Sequence, residues 1–164
     1  MAGSNKDEFP PLLPDGFHVM TASELRALAV DEKRFPGSSS RAALMGRLEH
    51  IIAVLREKRI DGELWIDGSF LTEKIDPDDI DISLRIQAAA YDNGSPDQVQ
   101  TIDWMTGLWQ TDSIDGYLHL EWPIGHPNHS VGLGNFEYWK RQWGRGRNGT
   151  PKGIVVVNLA LGEP

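Results

Sequence analysis

The residues with chemistry to offer lie between Trp65 and Ile82, which reads Trp-Ile-Asp-Gly-Ser-Phe-Leu-Thr-Glu-Lys-Ile-Asp-Pro-Asp-Asp-Ile-Asp-Ile. Asp79 and Asp81 open an alternating run, Asp79-Ile80-Asp81-Ile82-Ser83-Leu84-Arg85-Ile86, which has the pattern of a half-buried strand. On a strand alternate side chains share a face, so these two carboxylates project together, about 7 Å apart, while Ile80 and Ile82 enter the core. Such a pair suits a hard divalent cation with oxygen ligands, Mg²⁺ or Mn²⁺. Without a cation the two charges repel, by about 4 kcal/mol at 4 Å and an effective dielectric near 20, and by less as they separate. Upstream, Gly68 permits a tight turn with close backbone approach, and Ser69 adds a hydroxyl. Together they could cradle a phosphate through backbone N–H groups. Thr72 could back up that loop. Lys74 could touch phosphate or be an ordinary exposed loop lysine. Asp67 could cap the turn or face the site, whereas Asp76 and Asp78 read as turn residues.

A strand, a Gly-Ser turn, nine intervening residues and then Asp-x-Asp on the next strand resembles the polymerase-β-type nucleotidyltransferase superfamily. More closely, Gly68-Ser69-Phe70-x-Thr72-x-Lys74-x-x-Pro77-x-Asp79-Ile80-Asp81 is similar to a family of small bacterial proteins with that fold. The lead-in Leu13-Pro14-x-Gly16 and the ending from Tyr138-Trp139 through Pro151-Lys152-Gly153-Ile154-Val155 share the resemblance, which covers most of the chain. The resemblance implies a Gly68-Ser69 element on the triphosphate of an NTP substrate, ATP in the first instance, with Thr72 and Lys74 beside it. It implies Asp79 and Asp81 as ligands of Mg²⁺ or Mn²⁺. It also implies a third carboxylate, on a later strand, that holds one of the ions and helps activate an acceptor hydroxyl. Asp115 is the expected third carboxylate, because its spacing to Pro123, Gly125 and His126 matches the family pattern; Glu121, on the same strand face as Asp115, Tyr117 and His119, is the substitute. Domains of this kind are often seen in toxin–antitoxin and phage-defence systems. The acceptor is left open.

The elements that must position these groups follow from periodicity. Thr21-Ala22-Ser23-Glu24 has the form of a capping box and starts a short helix. A second helix runs from about Arg41 to Lys58, with Leu44, Leu48, Ile51, Ile52 and Leu55 on one face at the helical period. Strands are expected at 63–67, 79–86 and 115–122, and a buried one at 154–159. Helices are expected near Val99 to Gln110 and near Phe136 to Trp143. The class is α/β (α+β), a single mixed sheet with helices packed on it, and the resemblance makes this a minimal nucleotidyltransferase fold. The first 20 residues read as a flexible N-terminal arm and 21–164 as one nucleotidyltransferase-like domain.

Composition narrows the partners. With no cysteine in the chain there are no disulfides and no thiolate zinc sites. Met1–Pro14 lacks an apolar stretch behind a basic start, and no run of about 18 apolar residues occurs, so a cytoplasmic protein without a membrane span is expected. The net charge of −8 opposes nonspecific nucleic-acid binding. Its distribution is uneven: five acids fall within Glu73–Asp81, and five bases with no acid within Tyr138–Gly162. Tyr138, Trp139 and Trp143 beside Lys140, Arg141, Arg145 and Arg147 could stack bases of an RNA acceptor, but packing on the sheet is the favoured reading. Arg145 and Arg147 could instead clamp a triphosphate or an acceptor. His126 and His129 read as surface histidines, while His119 is drawn toward the site only by its strand register. The expected activity is transfer of a nucleoside monophosphate from an NTP to a hydroxyl. The rival is a non-catalytic antitoxin, sensor or partner-binding module of the same fold, with a protein partner or a second copy supplying the missing surface.

Overall fold

The computed structural model describes residues 8–108 and 112–160. Its core is one mixed five-stranded sheet in the order β1-β5-β2-β3-β4, an α+β arrangement. The strands are β1 (Gly16–Val19), β2 (Glu63–Asp67), β3 (Ile80–Gln87), β4 (Ile114–Glu121) and β5 (Gly153–Asn158). β1 runs parallel to β5 and β3 parallel to β4, while β2 is antiparallel to both of its neighbours. The helices are α1 (Ala22–Ala29), α2 (Arg41–Glu57), α3 (Ala88–Asp92), α4 (Pro96–Thr106) and α5 (His129–Trp143). None is long and apolar enough to cross a membrane.

Strand alternation divides the protein into two apolar layers. Leu64 and Ile66 of β2, Ile80, Ile82, Leu84 and Ile86 of β3, and Val155 and Val157 of β5 join the buried stripe of α2 and residues of α1 and α4 in the main core. Each fully buried side chain of this size contributes roughly 1.5–3 kcal/mol. The opposite face is aromatic. There Trp65, Trp143, Ile154 and Val156 are buried, with Tyr117, Phe136 and Trp139 packed against them from β4 and α5. This is the packing role favoured for the α5 tryptophans, whereas Tyr138 is half exposed.

Several elements depart from the sequence expectation. The stretch assigned to a flexible arm contains β1, and Leu12 is buried, its N–H donating to the Leu71 carbonyl at 2.9 Å. Phe-His-Val is too short to announce a strand, and it forms because β5 offers it a free edge. Residues 1–7 of that arm lie outside the described residues. α3 was not expected. α4 begins earlier, at Pro96, where Ser95 Oγ accepts from Gln98 N at 3.2 Å and Gln98 Oε1 accepts from Ser95 N at 3.0 Å. The expected end of that helix, at Trp109 and Gln110, lies outside the described residues. α5 starts at His129, a full two turns before Phe136, because its solvent side tolerates the exposed Val131 and Leu133 and its glycines.

Candidate functional site

The site is built from the ends of adjacent strands on the aromatic face. Asp67, the last residue of β2, pairs in register with Asp81 of β3, and Asp81 pairs with Asp115 of β4. Because the register is even across these strands, the three carboxylates form a row on one face. Asp79 lies just ahead of β3, two residues before Asp81, and its charge acts on Asp81. From the far side, the loop after α5 leads back into β5 and delivers Lys152, whose Nζ stands 3.0 Å from Asp67 Oδ1. Apart from that ammonium, Asp67 Oδ1 has no hydrogen-bond partner among the described residues.

The turn after β2 is shaped to meet the row. Gly68 has φ +94°, and a Cβ on it would stand 2.9 Å from Asp81 Oδ2, so only glycine brings this backbone against the carboxylate. The following residues wind into one 3₁₀ turn, Ser69–Leu71. Thr72 closes it, its N–H and its hydroxyl both donating to the Ser69 carbonyl, at 3.1 and 2.6 Å. Arg41 holds the turn from beneath. It is 1 % exposed, sandwiched between the Phe35 ring (3.6 Å) and Phe70 (5.4 Å), and donates to the carbonyls of Ala29, Phe70, Thr72 and Lys74. Burial, helped by the charge of Arg34, pulls its pKa down to about 10, so it stays a cation at neutral pH.

Gly68, Ser69, Thr72, Lys74, Asp79 and Asp81 line one cleft of about 630 Å³, a size that suits a small-molecule ligand. Its other wall is the loop from Arg145 to Thr150, followed by Lys152, and Glu8–Pro11 closes one side. The acids thus sit at the sheet end and the cations on the rim opposite. Asp115 neighbours Asp81 but does not line the cleft; its Oδ2 accepts from the Tyr117 hydroxyl at 2.9 Å. Glu121 does not stand beside Asp79 and Asp81. It pairs in register with Gln87, six residues farther along β4 than Asp115, and forms an ion pair with Arg85. His119 is buried beneath α5, edge-on to Trp65 at 6.0 Å, with Nε2 3.4 Å from the Gly132 carbonyl oxygen. Its burial lowers its pKa. His129 Nδ1 bonds the Trp122 carbonyl at 2.8 Å and His126 stacks on Trp122, so both serve the turn into α5.

The electrostatics of the row follow from crowding like charges in a half-dry place. Burial, then the charges of Asp79 and Asp115, raise the Asp81 carboxyl to about 6, with Lys152 opposing. Burial raises Asp67 to about 7, against the pull of Lys152 and the Gly68 N–H. Tyr117 is pushed up to about 12 by burial and by its bond to Asp115. Each shift marks a place where added positive charge would be stabilising.

Among the described residues no three His, Asp or Glu side chains form a set able to hold an ion by themselves. Lys152 is paired with Asp67, and the Tyr117 hydroxyl bonds an oxygen of Asp115. Asp79 and Asp81 line the cleft. A Mg²⁺ ion is commonly held by one or two carboxylates plus substrate phosphates, so this donor pair fits such an ion only together with a phosphate-bearing ligand.

A family model matches the chain over residues 6–158, nearly its whole length. The chain belongs to DUF6932, a family of unknown function. No curated protein and no solved structure matches it. The matched span takes in every wall of the cleft in this DUF6932 chain, from Glu8 through Lys152.

Three contributors were not singled out from sequence. Lys152 shares strand parity with Ile154 and Val156, which places it on the aromatic face, but a base in a basic segment draws no notice. Arg41 falls three residues before Leu44 and seven before Leu48, on the apolar stripe of α2, and that misplacement is the signal of a buried arginine. Tyr117 shares a strand face with Asp115, a parity that by itself does not imply the bond between them.

Proposed function

We propose that the protein is a metal-dependent nucleotidyltransferase that moves a nucleoside monophosphate from an NTP onto a hydroxyl acceptor and releases pyrophosphate. The observation that carries this reading is the Gly68 turn seated against the Asp81 carboxylate, with Asp79 and Asp81 opening on the same cleft that a basic loop walls off. The Gly68-Ser69 backbone and the Ser69 hydroxyl orient the triphosphate, with Thr72 bracing the turn and Lys74 at its edge. Asp79 and Asp81, with the nucleotide's phosphates, would hold Mg²⁺ or Mn²⁺, which neutralises phosphate charge when bound. The acceptor oxygen bonds to the α-phosphorus as the bond from that phosphorus to the β-phosphate oxygen breaks. The hydroxyl proton passes to a carboxylate, for which Asp115 is the candidate, and pyrophosphate leaves. Incubation with α-labelled NTPs and Mg²⁺ or Mn²⁺ tests the reaction: labelled acceptor and released pyrophosphate are expected from wild type and not from Asp79→Asn/Asp81→Asn. Pyrophosphate release equal in both proteins would refute it.

One observation favours a second reading, a partner-binding module that kept the fold without the reaction. Lys152 already supplies a cation to the acidic row, as a protein would that no longer recruits a metal there. On that reading a protein partner co-purifies equally with wild type and with Asp79→Asn, and neither binds nucleotide.

A further inference from the structure

The chain already holds an anion in the cleft, and the anion is its own. Glu8 stands at the start of the segment that closes one side of the cavity. Its Oε2 accepts from the Asn148 backbone N–H at 3.0 Å. Its Oε1 presses so closely on Gly146 that a Cβ there would stand 1.8 Å from it. The receiving loop is pre-shaped: Gly146 N donates to the Thr150 carbonyl at 2.7 Å, Gly149 N to the Gly146 carbonyl at 3.0 Å, and Thr150 N to Asn148 Oδ1 at 2.9 Å. The Asn148 N–H is thereby left pointing outward, and the carboxylate takes it.

The same segment is fastened to the opposite wall. Glu73 N donates to the Pro10 carbonyl at 2.9 Å, Pro11 bridges to Thr72, and the Lys74 ammonium lies 6.0 Å from the Phe9 ring. Glu8 therefore spans the cleft from the Gly68–Lys74 side to the basic loop. A carboxylate is a poor match for that loop. Arg145 and Arg147 line the same cleft, both exposed, and neither has an ion-pair partner among the described residues. An anion with more charge and more acceptor oxygens would engage the N–H and a guanidinium together, which is what phosphate offers and a single carboxylate does not.

We propose that the Gly146–Asn148 loop, with Arg145 and Arg147, is the subsite for the terminal phosphates of a nucleoside triphosphate, and that the Glu8 carboxylate occupies this subsite until the phosphate displaces it. The choice of a triphosphate rests on the functional reading above; the anion subsite itself does not. Glu8 then acts as an internal competitor. It lowers the apparent affinity for oligophosphates by the fraction of molecules in which it is seated, and it costs nothing for ligands that do not reach the loop.

The test is calorimetric titration of inorganic tripolyphosphate, MgATP and AMP into wild type, Glu8→Gln, Glu8→Ala and Arg147→Gln. Glu8→Ala is included because glutamine could keep the bond to Asn148. Removing the competitor is expected to tighten tripolyphosphate and MgATP about tenfold, within the usual range of coupling between competing contacts, while AMP is unmoved. Arg147→Gln is expected to weaken both oligophosphates by about the same factor. If tripolyphosphate tightens in the Glu8 variants but MgATP binds to no protein, the anion subsite stands and the nucleotide reading falls. If wild type binds MgATP and neither Glu8 variant changes oligophosphate affinity, the nucleotide reading stands and this proposal is overturned. Absence of tripolyphosphate binding in every protein overturns it as well.

Discussion

Replacing Asp81 by asparagine removes the charge most crowded by its neighbours and should make the ligand-free protein more stable, in a pH-dependent way. In the unfolded chain an aspartate gives up its proton near pH 4; in the folded protein Asp81 holds it to about pH 6, through burial and the charges of Asp79 and Asp115. Between those values the folded state carries more protons than the unfolded one, so stability falls as pH rises, and above pH 6 the loss is complete. A shift of about two units corresponds to roughly 3 kcal/mol at 1.36 kcal/mol per unit, an upper figure because Asp81 is only half-buried and coupled to Asp67. For a chain of this size, ~2–3 kcal/mol amounts to ~5–10 °C in Tm. Thermal unfolding in EDTA at pH 4, 6 and 8 should therefore give nearly superimposed Tm values at pH 4. At pH 8 Asp81→Asn should melt ~5–10 °C higher than wild type. Asp67, raised to about 7, keeps some decline in both proteins. Equal Tm values at pH 8, or a variant that declines as steeply as wild type, would refute the reasoning.

Other perturbations address the scaffold. Arg41→Ala strands four carbonyls that one buried guanidinium now satisfies, and should cost about 3–5 kcal/mol in the urea unfolding free energy; a loss under about 1 kcal/mol would mean water replaces the arginine. Gly68→Ala forces a side chain into a left-handed backbone and against Asp81 Oδ2, and should cost about 1–2 kcal/mol while abolishing any nucleotide-induced thermal shift. A retained shift would separate the turn from the binding site. Lys152→Met leaves the Asp67 carboxyl buried without its counter-charge. It should destabilise by about 3 kcal/mol at pH 8 and far less at pH 5, where Asp67 is already protonated; an equal loss at both pH values would assign the effect to packing.

Much of the scaffold under the site is written in short-range pattern. The β2–turn–β3 unit was legible because glycine admits the left-handed backbone a tight turn needs and the Asp-Ile-Asp-Ile alternation suits a strand, and α2 because its apolar stripe keeps a helical period over about three turns. The partnership of Asp81 with Asp67 and Asp115 was less legible, since register between strands depends on pairing across 14 residues in one case and 34 in the other. The separation of Asp115 from Glu121 was open for the same reason: both share a strand face, and only the pairing of Ile80 with Ile114 shows which end meets the acids. β1 escaped notice because its formation depends on the free edge of β5, at the other end of the chain, rather than on its own composition. The Glu8 and Lys152 contacts are long-range pairings of single charged side chains, which leave no periodic trace.

The central claim, that Asp79 and Asp81 with the Gly68 turn bind a metal–nucleotide complex, is tested most directly by calorimetry. MgATP would be titrated into wild type and into Asp79→Asn/Asp81→Asn, with the other NTPs and Mn²⁺ as parallel runs. Saturable binding by wild type that needs the divalent ion and disappears in the double variant is the predicted result. No binding of any NTP by wild type, or the same affinity in the variant, would contradict the account.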